Sequence, residues 1–216
     1  MPPRRSRRAQ GQHPAAATIG WLGDDLLAKC FSLLGQADLL SRAALVCCRW
    51  HAVSTRPELL QNVVFHAGRD GAAAVRAAQS LLRLLQQHGQ AVRSLDLALE
   101  EYVELSAVGE MEVLSLLDGC VTVCAGSLER LKLHLMTGSY MLGAWTATAH
   151  RLEELRLEVE IFTVWATLEH LTSLRRLHLY AERWQLGSAM ALPASLTRLR
   201  IEEHKAEEMP AQVGHK

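Results

Sequence analysis

The sequence predicts an α/β fold in which a small helical unit leads into stacked strand and helix repeats that build a parallel sheet. Three observations predict it. The line Leu-x-x-Leu-x-Leu recurs at Leu128, Leu131, Leu133; at Leu152, Leu155, Leu157; at Leu174, Leu177, Leu179; and at Leu196, Leu199, Ile201. The first residues of these lines lie 24, 22 and 22 apart. Strand-like lines alternate with helix-patterned stretches through short connections, the signature of a right-handed parallel stack.

The first 18 residues carry Arg4, Arg5, Arg7 and Arg8 with no acid before Asp24. Such a stretch lacks the apolar side chains that offset ordering, so residues 1–18 read as a disordered basic tail. It resembles a nuclear-localisation patch or an Arg-rich transit peptide, or else is a solvated tail without an address. Asp24 then reads as a helix N-cap, with Leu26, Leu27, Cys30, Phe31 and Leu34 on one face before a left-handed stop at Gly35. Asp38 reads as a second cap, followed by Leu39, Leu40, Ala43, Val46, Cys47 and Trp50 in a helical stretch broken near Val46. Pro57 ends this region, and Leu59, Leu60, Val63, Val64 and Phe65 turn strand-like.

Residues 72–88 form the next expected helix, closed by Gly89, and Val113, Leu114, Leu116 and Leu117 mark another ahead of Leu128. Degenerate copies of the leucine line sit at Leu60, Val63, Phe65 and at Val92, Leu95, Leu97, with spacings of 32 and 36 before the array settles. An interval of roughly 20 to 29 residues is that of leucine-rich repeats, so residues 59–205 are expected to form a short right-handed leucine-rich-repeat solenoid, with a polar tail at 206–216. Alternate positions of each short strand face the core, and no single copy can bury them without its neighbours.

Positions three, five and seven of each line then face the open side of the sheet. They carry Ser94, Arg130, Glu154, Arg176 and Arg198; Asp96, Lys132, Arg156, His178 and Arg200; and Ala98, His134, Glu158, Tyr180 and Glu202. Over the last four lines this is six Lys or Arg against three Glu. Strands about 4.8 Å apart would align these cations in a stripe that invites an anionic partner. The alternative is that Glu154, Glu158 and Glu202 neutralise the stripe diagonally and the face is only solvated. Position nine, with Met136, Glu160, Glu182 and His204, lacks the residues of an asparagine ladder at a turn, and Tyr102, Phe162 and Trp184 at position eleven read as core wedges. After the last line no apolar segment is evident to cover Leu199 and Ile201. Further repeats, or use of that edge for docking, are therefore expected.

Lys+Arg and Asp+Glu balance at 23 each, against the basic surplus of a nucleic-acid-binding domain. No apolar run approaches the roughly 18 residues of a membrane span. Five cysteines, Cys30, Cys47, Cys48, Cys120 and Cys124, are odd in number and read as buried thiols in a reducing compartment. Neither metal-ligand spacing, nor a Ser, His and Asp constellation, nor a glycine-rich phosphate loop is present, so no cofactor, metal or catalytic residue is expected.

The helical unit, taken as 19–58, resembles an F-box. The residues carrying the resemblance are Leu22, Asp25, Leu26, Leu27, Phe31, Leu34, Asp38 with Leu39, the run Val46-Cys47-Cys48-Arg49-Trp50, and Pro57-Glu58-Leu59. Where the family has Leu-Pro at the start, this chain has Leu22-Gly23. An F-box followed by leucine-rich repeats resembles the substrate receptors of cullin-based ubiquitin ligases, which are not themselves enzymes. The resemblance implies that Leu22, Leu26, Leu27, Phe31, Leu39, Val46 and Trp50 dock a Skp-family adaptor and through it a cullin. It implies also that the repeats select a protein for ubiquitination, through Arg130, Lys132, Arg156, Arg176, His178, Arg198 and Arg200. A cytoplasmic or nuclear protein with an acidic or phosphorylated target, and no nucleic-acid or membrane partner, is the resulting expectation. A scaffold with a degenerate F-box is the alternative.

Overall fold

The computed structural model describes residues 21–67, 70–99, 107–164, 168–186 and 191–203. The tails expected at 1–18 and 206–216 lie outside these residues, as do Tyr102, His204 and the side chain of Phe162. The chain divides into two compact units, Met1–Ser54 and Thr55–Lys216.

The first unit holds α1 (Asp24–Phe31), α2 (Gln36–Ser41), a 3-10 turn at Ala43–Leu45 and α3 (Cys48–Ser54). Leu27, Phe31, Leu39 and Val53 are buried, and the rings of Phe31 and Trp50 meet edge to face at 5.1 Å. The break near Val46 is found between the 3-10 turn and α3. Both expected caps move. Gly23, not Asp24, precedes α1, and the Asp24 carboxylate accepts from Arg49 Nε at 2.8 Å. Gly35 is the N-cap of α2 with φ −62°, not a left-handed stop, which leaves Asp38 inside the first turn and paired with Arg42 at 2.9 Å. Because α1 ends at Phe31, Leu34 does not share its buried face. Cys30, Cys47 and Cys48 are exposed, against the expectation of burial; only Cys120 and Cys124 are buried.

The second unit is an α/β arrangement around one six-stranded parallel sheet in the order β1 to β6. Its strands are β1 (Asn62–Ala67), β2 (Ser94–Leu99), β3 (Arg130–Met141), β4 (Glu154–Val164), β5 (Arg176–Leu186) and β6 (Arg198–Glu203). Each leucine line aligns with the next: Val63, Leu95, Leu131, Leu155, Leu177 and Leu199 are successive register partners, as are Phe65, Leu97, Leu133, Leu157, Leu179 and Ile201. Leu128, Leu152 and Leu174 are buried beside these rows. One bond recurs before each strand from β2 onward, from Arg93 N to Gln61 O, Glu129 N to Arg93 O, Glu153 N to Glu129 O, Arg175 N to Glu153 O and Thr197 N to Arg175 O. It locks neighbouring lines in step. Each buried leucine contributes about 1.5–3 kcal/mol by leaving water.

Helices α4 (Gly71–His88) and α5 (Ala107–Cys124) fill the first two crossovers. The Asp70 side chain caps α4 by accepting from Ala73 N at 3.1 Å. Residues Val113, Leu117, Cys120, Val121 and Cys124 bury one face of α5 at helical spacing. The later crossovers differ from the expected alternation. Strands β3, β4 and β5 run 12, 11 and 11 residues rather than being short. With repeats of 22 to 24 residues, such strands leave too little chain for another long helix, and residues 142–153 contain only a 3-10 turn at Ala144–Ala147. Met136, Glu160 and Glu182 accordingly lie within strands, where no turn needs an asparagine. Trp184 packs partly buried against the core.

Candidate functional site

Each unit carries one candidate surface. On the first, the residues expected to dock an adaptor separate into two groups. Leu27, Phe31 and Leu39 are buried and pack in the core of the unit. Leu22 and Trp50 are partly buried, while Leu26 and Val46 are exposed, Val46 by 60%. Sequence reasoning missed the larger part of the exposed set: Trp21, Leu33 at 87% and Leu45 at 77%, with Leu34 less open. The signal was present. Leu33-Leu34 and Leu45-Val46 are apolar pairs next to helix ends, where a continuous helical face can no longer bury both members.

Exposed leucines are ordinary one at a time, but six large apolar side chains on a unit this small are not. Arg49 steadies the scaffold behind them, donating to Asp24 and to the backbone carbonyl of Leu22.

On the second unit the expected cationic ladder exists as a register: Lys132, Arg156, His178 and Arg200 are successive partners behind Asp96, and Arg130 and Glu154 lead to Arg176 and Arg198. The side chains do not stand free as a stripe. Lys132 Nζ lies 3.3 Å from Asp96, Arg176 lies 2.9 Å from Glu154, and Arg156 pairs with Glu158. Arg200 Nε donates to Glu202 at 2.6 Å, while His178 Nε2 is 3.2 Å from the same carboxylate. His134 Nδ1 shares a 2.6 Å hydrogen bond with Glu158. Arg130 donates to the neutral Asn62 amide at 3.3 Å, and Arg198 has no carboxylate partner among the described residues.

The titration of the carboxylates follows from this pairing. Burial alone would raise Glu158, yet the hydrogen bonds from His134 and Arg156 outweigh it and hold its carboxyl below the usual range. Arg200 and then His178 lower Glu202 in the same way. Burial, reinforced by Glu182, Glu158 and Glu202, raises the Tyr180 phenol. The result is a mixed, self-paired face whose cationic surplus gathers toward β5 and β6. There a shallow cavity of about 640 Å³ is lined by Glu154, Arg176, His178, Arg198 and Arg200. It offers guanidinium groups to an anion.

No cluster of three or more His, Cys, Asp or Glu that could hold a metal occurs among the described residues. The buried thiols of Cys120 and Cys124 are pushed up to about 12 by desolvation, which keeps them protonated and poor nucleophiles. Among the described residues no helix is long and apolar enough to cross a membrane. Compared with protein-family models and with curated proteins, the chain matches none.

Proposed function

We propose that the chain is a substrate receptor of a cullin-based ubiquitin ligase, the helical unit acting as an F-box and the sheet unit as a short leucine-rich-repeat solenoid. The observation that carries this reading is the exposed apolar set Trp21, Leu26, Leu33, Leu34, Leu45 and Val46 on a unit of short helices. In this reading the set docks a Skp-family adaptor, and Leu27, Phe31, Leu39 and Trp50 hold the helices that present it. The sheet face selects the target protein. Its surplus of Arg176, Arg198 and Arg200 over Glu154 and Glu202 suits an acidic or phosphorylated segment. Catalysis is left to other subunits, since a receptor accelerates transfer by raising the local concentration of its target.

The competing reading is a repeat scaffold that no longer binds an adaptor, and Gly23 is the observation in its favour. Gly23 nevertheless adopts φ −61°, the value that a proline imposes, so the missing ring leaves the folded entry to α1 unchanged. Purified chain mixed with a Skp-family adaptor separates the two readings. Binding that is lost in Leu33→Asp and Val46→Asp, with helicity intact, supports the receptor; a wild-type chain that binds no adaptor supports the scaffold.

A further inference from the structure

We propose that β6 pairs antiparallel with β6 of a second copy of this chain, joining two sheets edge to edge about a twofold axis. β6 is the last strand of the sheet, and among the described residues it pairs only with β5. Its core-facing side chains are the anomaly of the sheet. Their register partners Leu177 and Leu179 are buried, whereas Leu199 is 46% and Ile201 53% exposed.

The direction of the backbone limits which residues can stand opposite one another. Arg198 donates its amide to Arg175 O at 2.9 Å, toward the β5 side. Backbone groups alternate along a strand, so those of Arg200 and Glu202 face β5 as well, and those of Leu199 and Ile201 face outward. An antiparallel partner bonds outward groups to outward groups and sets opposing side chains on one face. Leu199 then stands opposite Ile201 of the second copy, on both sides of the axis, which satisfies the free donors and acceptors and covers the exposed pair. On the other face Arg198 stands opposite Glu202 of the second copy, again twice, at the non-hydrogen-bonded positions where side chains come closest.

Charge supports the same register. Arg198 is the cation of β6 without a carboxylate among the described residues, and in this register it receives one. Arg200 meets Arg200 on the axis, an unfavourable contact that each guanidinium's own hydrogen bond to Glu202 moderates. A parallel or shifted pairing loses either the Leu199 and Ile201 match or the Arg198 and Glu202 match. An isologous contact of this kind closes after two copies and does not propagate. The edge is short, so the dimer should be weak and should form as concentration rises.

Sedimentation of the full chain over a concentration series reads the equilibrium, with Arg198→Glu and Glu202→Arg as probes and circular dichroism to confirm folding. Wild type is expected to shift from monomer toward dimer, and each variant alone to remain monomeric, because like charges then oppose one another on both sides of the axis. Mixed in equal amounts, the two variants are expected to dimerise with each other, since one copy then presents only acids and the other only arginines at these positions. A wild type that stays monomeric up to high micromolar concentration overturns the proposal. So does self-association of either variant at wild-type strength, or a mixture that stays monomeric.

Discussion

Asp118 lies against Gly143 so closely that a Cβ built on the glycine would run into the Asp118 carboxylate. The pair ties α5 to the 3-10 turn that follows β3, where Trp145 is fully buried. Burial raises the Asp118 carboxyl, and attraction to the Trp145 indole only partly offsets this, since Oδ1 and Trp145 Nε1 do not reach hydrogen-bond geometry. Gly143 has an ordinary φ of −75°, so the constraint on it is contact, not backbone strain. Gly143→Ala should displace the Asp118 carboxylate, the end of a side chain that can rotate, and cost no more than about 1 kcal/mol, the low end of overpacking. Urea unfolding of Gly143→Ala, Asp118→Ala and the double variant checks it: the double should lose less than the two single losses combined.

Gly23→Pro is the reverse case. The glycine has φ −61° and ψ 157°, and a Cβ there would meet nothing within 4 Å. Proline at such a position restricts the unfolded chain without disturbing the folded one, a gain of about 0.4–1 kcal/mol. Thermal unfolding of the helical unit should move upward, and adaptor binding should hold or strengthen. A lower midpoint would mean that the Gly23 amide has a partner that the ring removes.

Leu27 and Leu33 should respond differently to charge. Leu27 is fully buried, so Leu27→Arg places an unpaired guanidinium in the core and should unfold the helical unit. Leu33→Asp changes a side chain already in water, and stability should stay within about 0.5 kcal/mol of wild type. Limited proteolysis resolves them, with rapid cleavage in 22–54 for Leu27→Arg alone. Loss of adaptor binding in Leu27→Arg therefore carries no information about the docking surface, and Leu33→Asp is the informative variant.

The leucine lines were legible because strand alternation has a period of two and is indifferent to what the connections do; Leu131, Leu155 and Leu177 pair as their spacing requires. The lengths of β3 to β5 were legible in principle. Alternation runs on through Glu158, Val159, Glu160 and Ile161 in β4, beyond the motif that drew attention. The helix caps were not, since Asp24 has two competing partners, its own helix start and Arg49, and only the packing of α3 chooses between them. At the sheet face the sequence placed the charges in register. It could not say that Arg156 would turn along its own strand to Glu158, and not toward solvent.

Glu158 should make part of the stability acid-sensitive. Its folded carboxyl titrates below the ordinary 4.5, held there against burial by His134 and Arg156. The unfolded chain therefore takes up the proton first as pH falls, so the contribution is complete above 4.5 and is lost as pH drops through the folded value. Glu158→Gln should flatten the decline of stability below 4.5 and cost up to about 1 kcal/mol at neutral pH, since the pairing it weakens is open to water and the amide oxygen still accepts. Urea unfolding at neutral and acid pH reads both effects, and an unchanged acid slope would exclude Glu158 as its source.

Binding of an acidic or phosphorylated segment should depend on strands β5 and β6 more than on β3 and β4. Lys132 and Arg156 already hold Asp96 and Glu158, and a ligand must compete with a carboxylate whose geometry is fixed by the sheet. Arg198 has no such competitor among the described residues, and Arg176 holds only a half-exposed pair with Glu154, the kind worth about 0–1 kcal/mol. Titration of a phosphorylated peptide into the chain should therefore weaken more in Arg176→Ala and Arg198→Ala than in Lys132→Ala and Arg156→Ala. Affinity should also fall as salt shortens the screening length toward about 8 Å at physiological ionic strength. The comparison should be made well below the concentration at which chains associate, because Arg198 also serves the β6 edge. Equal losses in all four variants would spread recognition along the whole ladder. Losses in none, with binding insensitive to salt, would move it off the sheet face.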